Sequence, residues 1–182
     1  MAIHACFARD QNRYQFGTCN YGVRATFTSL CCGDSVLSAC SQYAHLNRLM
    51  ARSNLTITRL AEGKQWSKFL FAYSYVVYRC SLTIQYELKP DSNLVRFNLL
   101  DTRPKASLFP LMQELSGSYG FAHVPGSDSV RVTYLQQARM SKRLNILYQT
   151  EIRFENDGVI KRLKAYLEKL GRKAPACLVP SP

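Results

Sequence analysis

The feature that most constrains this chain is an apolar/polar alternation that runs, turns and returns. Cys80, Leu82, Ile84, Tyr86 and Leu88 alternate with Arg79, Ser81, Thr83, Gln85, Glu87 and Lys89, the period of a strand buried on one face. Pro90-Asp91-Ser92-Asn93 carries turn chemistry, and Val95, Phe97 and Leu99 resume the alternation, so a hairpin is expected. A chain holding such a hairpin must build a sheet and cover one face of it.

The rest of the order is read outward from that hairpin. Ser107 opens a short helical pattern, with Pro110 in its first turn, Leu111, Met112 and Leu115 on one side, and Gly117 at its end. Val130, Val132 and Tyr134 alternate again, and Leu144, Ile146, Tyr148, Thr150, Ile152 and Phe154 make the most regular period-two run of all. Asn156-Asp157-Gly158 breaks that run, and Val159, Ile160, Leu163, Leu167 and Leu170 follow at helical spacing up to Gly171. The order over residues 79–171 is therefore β-β-α-β-β-α. It predicts an α+β fold, an antiparallel sheet with helices packed on one face.

A mixed segment precedes it. Residues 1–60 hold six Arg and no Lys, and five of the seven cysteines fall within the first 40 residues. This Arg-rich, Cys-rich segment contains a possible strand at Val23–Leu30, a possible helix over 34–52 and an alternating stretch at Asn54–Leu60. Residues 61–172 are expected to form the α+β domain, and 173–182, with three prolines, a flexible tail.

Composition sets the functional bounds. With 182 residues and 47% hydrophobic content, the chain has enough apolar material for the core of one domain. The longest uncharged apolar run, Phe69 to Tyr78, has ten residues; a spanning helix needs about 20, so no transmembrane segment is expected. The odd cysteine count and the lack of an apolar leader predict reduced thiols in an intracellular compartment, cytoplasmic or mitochondrial, the latter because an Arg-rich, acid-poor start has the composition of a transit peptide.

The formal charge is +12, divided as +4 over residues 1–60, +1 over 61–130 and +7 over 131–182. If the apolar alternates face the helices, Arg79, Arg96, Arg131, Arg143 and Arg153 recur on the open face of the sheet. Arginine forks grip phosphate and stack on bases. Lys142 lies in the basic R-M-S-K-R segment, and Lys161, Lys164 and Lys169 add charge to the last helix. These nine residues are the candidate nucleic-acid contacts of a non-catalytic, basic RNA-binding subunit, whose partners would be RNA, or another polyanion, and the other protein subunits of a ribonucleoprotein assembly.

Two alternatives belong to other classes. The aromatic run Phe69, Phe71, Tyr73, Tyr75 and Tyr78 fits the interface strand of a scaffold or assembly subunit. Glu151, Glu155 and Asp157 are the one acidic cluster available to a metal-dependent hydrolase. No nucleotide-binding loop, nucleophile elbow or paired-histidine metal motif occurs. His4, Cys6, Cys31, Cys32, Cys40 and His45 include soft ligands but lack the close cysteine pair of a structural zinc site. No catalytic residue, no metal and no cofactor are therefore expected.

Overall fold

The hairpin expected from residue 79 onward lies inside an eight-stranded antiparallel sheet. The computed structural model describes residues 11–50, 54–75, 78–105 and 107–172. In chain order the elements are β1 (Gln11–Phe16), β2 (Asn20–Ser29), α1 (Gly33–Ser41), α2 (Tyr43–Met50), β3 (Leu55–Glu62), β4 (Trp66–Tyr75), β5 (Tyr78–Lys89), β6 (Leu94–Arg103), β7 (Met112–His123), β8 (Val130–Met140) and α3 (Ile146–Gly171). The strands lie side by side as β1-β2-β8-β7-β6-β5-β4-β3.

The β5–β6 pairing is the expected hairpin, with Tyr86 opposite Phe97 and Leu88 opposite Val95. A single 3-10 turn at Pro90–Ser92 joins the strands, and Asn93 adopts a left-handed conformation at φ 51°, which a short amide side chain tolerates. Leu82, Ile84 and Tyr86 are buried, as are Val95 and Phe97, so the alternation does mark one covered face.

The expected order β-β-α-β-β-α is corrected. The helix expected from Ser107 is a loop followed by β7. Ser107 Oγ does accept from the Phe109 amide at 3.1 Å, yet the turn goes no further, because Leu115 and Tyr119 face the core from a strand. Gly117 does not end a helix. It pairs with Phe97 across the sheet, and a Cβ there would stand 2.2 Å from the Phe97 ring and 2.3 Å from the Leu135 carbonyl. The missing side chain makes room for that ring.

The strand expected over 144–154 is corrected as well. It is the first half of one 26-residue helix, α3, capped by the Asn145 side chain, which accepts from the Tyr148 amide at 3.1 Å. Asn156-Asp157-Gly158 lies within it, and Asn156 donates to the Ile152 carbonyl at 2.9 Å. Helices do not return between strand pairs on one face; two short helices precede β3 and one long helix follows β8.

The possible helix over 34–52 is two helices, α1 and α2, separated at the extended residue Gln42. The described part of residues 1–60 supplies β1, β2 and most of β3. Residues 173–182 fall outside the described range, and so does His4-Ala5-Cys6. Cys19, Cys31, Cys40 and Cys80 are outside any disulfide, whereas Cys32 is disulfide-bonded, which corrects the expectation of reduced thiols at that position. Among the described residues no helix is long and apolar enough to cross a membrane.

The inner face of the sheet and the three helices share one hydrophobic core. Register shifts at Arg59/Ala61, Thr83/Ile84 and Met112/Glu114 interrupt the ladders. Bulges of this kind bend and twist strands, and here they let the sheet wrap around what it covers.

Candidate functional site

A row of rings crosses five adjacent strands on the inner face. Phe69 of β4 meets Tyr86 of β5 with centroids 5.6 Å apart, Tyr86 meets Phe97 of β6 at 5.7 Å, Phe97 meets Tyr119 of β7 at 5.5 Å, and Tyr119 stacks on Tyr134 of β8 at 4.9 Å. Direct cross-strand pairs and two-residue diagonals bring the rings together, as expected for large side chains on one face of an antiparallel ladder.

These rings do not fill the space beneath α3. A cavity of about 470 Å³ lies there, lined by Phe71, Leu82, Ile84, Tyr86, Phe97, Leu115, Tyr119 and Tyr134 from the strands and by Tyr148, Ile152 and Val159 from α3. A short polar strip crosses it. The Tyr134 hydroxyl faces Gln136 Oε1 and lies 3.2 Å from Asn156 Oδ1, and Gln136 Nε2 donates to the Tyr21 hydroxyl at 2.7 Å. Desolvation pushes the phenols of Tyr21, Tyr86, Tyr119 and Tyr134 up from their ordinary value, so at neutral pH they are protonated hydrogen-bond donors. Glu151 and Glu155 line the side nearest α3.

The mouth is marked by lining residues that also meet solvent, among them Phe109, Pro110, Tyr148 and Glu151. Their sequence neighbours are apolar and uncovered: Leu108 is 90% exposed, and Ile146 and Leu147 are each 75% exposed. Lys142 Nζ donates to the Leu108 carbonyl at 2.9 Å, and Leu111 and Ser141 exchange two hydrogen bonds. The β6–β7 and β8–α3 loops are thereby fastened at one rim.

The nine candidate phosphate contacts fall elsewhere and do not converge. Arg79, Arg96 and Arg131 are exposed on β5, β6 and β8. Arg96 pairs with Ser118 but Arg79 lies eight residues along β5 from Glu87, the partner of Arg96, a separation of about 26 Å at 3.3 Å per residue. Arg143 is exposed in the β8–α3 loop, beside Lys142. Arg153 is on α3, stacked over Phe16 at 5.1 Å and Tyr14 at 5.9 Å. Lys161, Lys164 and Lys169 follow along the same helix, Lys161 and Lys169 exposed and Lys164 half-buried.

The acidic cluster separates. Glu151 and Glu155 face the cavity, whereas Asp157 accepts from Asn12 at 2.7 Å and from the Tyr14 hydroxyl at 2.6 Å, pinning β1 to α3. Among the described residues no group of three or more His, Cys, Asp and Glu is placed to hold a metal. His45 Nδ1 is 2.5 Å from the Tyr166 hydroxyl, and Cys40 is sealed in the core with its thiol pushed up by desolvation. Of the aromatic run, Phe69 and Phe71 are buried and Tyr73 lines the cavity, so these three are core rather than interface; the side chains of Tyr75 and Tyr78 lie outside what the structure describes.

No protein-family profile matches the sequence, and no curated protein matches it. Solved structures do. A START-superfamily protein from Mycobacterium smegmatis is 11% identical, with a TM-score of 0.61 over 82% of this chain and 98% of its own. A STAR-related lipid transfer protein from Xanthomonas axonopodis is 16% identical, with a TM-score of 0.61 over 91% of this chain and 96% of the other. The Zhui aromatase/cyclase from Streptomyces sp. R1128 is 13% identical, with a TM-score of 0.58 over 88% and 99%.

These likenesses define the fold: an antiparallel sheet gripping a long C-terminal helix, as in START-superfamily proteins. They overturn the expectation of an RNA-binding subunit of a ribonucleoprotein, and with it the RNA partner, because the similar structures are lipid-transfer and aromatase/cyclase proteins. The physical reason is that charge draws attention to the outer face, while the fold is built around its inner one. The cavity residues were visible in the sequence only as core; Tyr86, Tyr119 and Tyr134, polar-tipped aromatics at strictly inward positions, were the available signal.

Proposed function

We propose that this protein binds an apolar small molecule in the cavity beneath α3 and holds it without turnover. The observation that carries the reading is the cavity itself. At about 470 Å³ it lies within the usual 300–1,000 Å³ of small-molecule sites and has their composition, mainly apolar and aromatic walls with a few polar groups. The similar lipid-transfer and aromatase/cyclase structures support a hydrophobic occupant. Binding without catalysis is favoured by the chemistry of the walls: their phenols are held protonated, and no histidine lines the cavity among the described residues. General acid–base work needs a group whose pKa lies near the working pH.

The test is titration with Nile red, a neutral dye whose emission rises and shifts in apolar surroundings. Saturable binding at one site is expected in the unmodified protein. Ile84→Trp, which pushes an indole into the cavity, should weaken binding at least tenfold while far-ultraviolet circular dichroism is kept. No saturable binding, or equal binding by the filled variant, would overturn the reading. For the non-catalytic part, a compound co-purifying with the protein should be recovered with unchanged mass after prolonged incubation; a changed mass would show turnover.

A further inference from the structure

Four tyrosines are buried among the described residues, and they divide into two pairs. Tyr21 and Tyr134 have their hydroxyls engaged within the Gln136 and Asn156 network. Tyr86 and Tyr119 make no side-chain hydrogen bond among the described residues. They are 3% and 5% exposed, and both line the cavity. Neither oxygen is sealed without a partner, so each hydroxyl is reached from the cavity that its ring lines. Burying a hydroxyl without a partner is costly, and buried polar groups in folded proteins are almost always paired.

We infer that the ligand is a neutral, apolar molecule bearing a hydrogen-bond acceptor of the carbonyl type, which accepts from Tyr86 and Tyr119. This rests on the binding reading above and names the chemistry of its ligand. Burial keeps both phenols protonated, so each offers an O–H. A carbonyl oxygen has two lone pairs and is able to take both. The acceptor is neutral because no Lys or Arg lines the cavity among the described residues, and an anion there would be buried without a counter-charge. The two tyrosines flank Phe97, at 5.7 and 5.5 Å between centroids, so the donors come from both sides of a flat apolar floor. An unsaturated or ring-bearing skeleton suits that floor, with its oxygen directed at the phenols.

The experiment compares fluorene with 9-fluorenone, which differ by one carbonyl. Affinities for the unmodified protein and for the double variant Tyr86→Phe/Tyr119→Phe are measured by calorimetry. In the unmodified protein the preference for fluorenone should exceed that set by partition of the two compounds into hexane. The double variant should lose about tenfold in the fluorenone-to-fluorene ratio. The carbonyl stretch of bound fluorenone should lie below its position in hexane and return towards it in the variant.

An unchanged ratio, or a stretch at the hexane position in the unmodified protein, overturns the inference while fluorene binding leaves the cavity reading standing. Failure of both compounds to bind overturns both. Should the double variant lose fluorene too, the stretch in the unmodified protein decides alone.

Discussion

Between Ile160 and Leu167, α3 buries Ile160, Leu163 and Leu167 against the shared core, whereas between Ile146 and Phe154 it turns Ile146, Leu147 and Phe154 to solvent, each 75% exposed. Both stretches belong to one continuous helix, and they differ in what lies beneath them. The second half meets α2, where Tyr166 contacts His45 and Arg162 donates to the Leu49 carbonyl, and its last turn meets Leu30 and Cys31. Under the first half lies the cavity, walled by Tyr148, Ile152 and Asn156. A helix that closed the cavity by packing would leave no room for a ligand, so the half that covers the site is held by its cap and from the side by β1, through Asn12 and Tyr14 on Asp157 and the rings under Arg153. The difference teaches that stability and access are assigned to different turns of the same helix.

That assignment is open to attack at several points. The largest effect is expected in the packed half: Leu167, fully buried, should cost about 3 kcal/mol when cut to Ala, read as a lower urea midpoint with an unchanged m-value. Nile red affinity measured well below that midpoint should stay within about twofold. An equal loss of binding and stability would mean the two halves are not separable.

Asn145→Ala removes the cap at the mouth end of α3 and should cost about 1 kcal/mol. Hydrogen exchange should speed up in the first two turns and remain unchanged beyond Ile160. A uniform increase along the helix would break the comparison. Ile146→Ser with Phe154→Ser should leave stability within about 0.5 kcal/mol, because both side chains already face water, while the association rate of Nile red should fall. An unchanged rate would remove these residues from the entry route.

The smallest effect is one of pH. Desolvation, aided by Arg48, lowers the His45 pKa, so the folded state binds its proton less readily than the unfolded chain. The resulting stability is complete above the ordinary histidine pKa of about 6.5 and declines as pH falls through the lower folded value. His45 contacts Tyr166 in the packed half. A small loss of thermal midpoint is therefore expected on acidification from pH 7 to 5, larger in the native protein than in His45→Gln.

The same split explains which parts of the molecule were legible. The β5–β6 hairpin was readable because each of its strands has one covered face, so alternation in sequence is alternation in space. The run from Leu144 to Phe154 alternates for another reason. Tyr148 and Ile152 face inward at helical spacing, and Ile146 and Phe154 are apolar residues facing solvent. Two interleaved helical sets imitate a strand. Gly117 misled similarly, because a glycine that makes room for a ring has the same letter as one that ends a helix. The site was illegible for a simpler reason: a cavity is made by what the core does not fill, and inward-facing residues look the same whether or not they touch one another. Only the unpartnered phenols of Tyr86 and Tyr119 distinguish the two cases, and that requires coordinates.

The strand order has a consequence for how the chain comes to be folded. From β3 to β8 each strand pairs with its successor, so that meander can assemble by local steps. The β1–β2 hairpin is different, since Ser29 pairs with Val130 and Asn20 with Arg139, roughly a hundred residues apart, and such distant pairings are slow to form. On a ribosome the first hairpin emerges with Tyr21, Val23 and Phe27 lacking their cover, and it waits until β8 has left the exit tunnel. This hairpin, made before β3 to β8, is thus docked only after them, and for that interval it is the stretch a chaperone would hold.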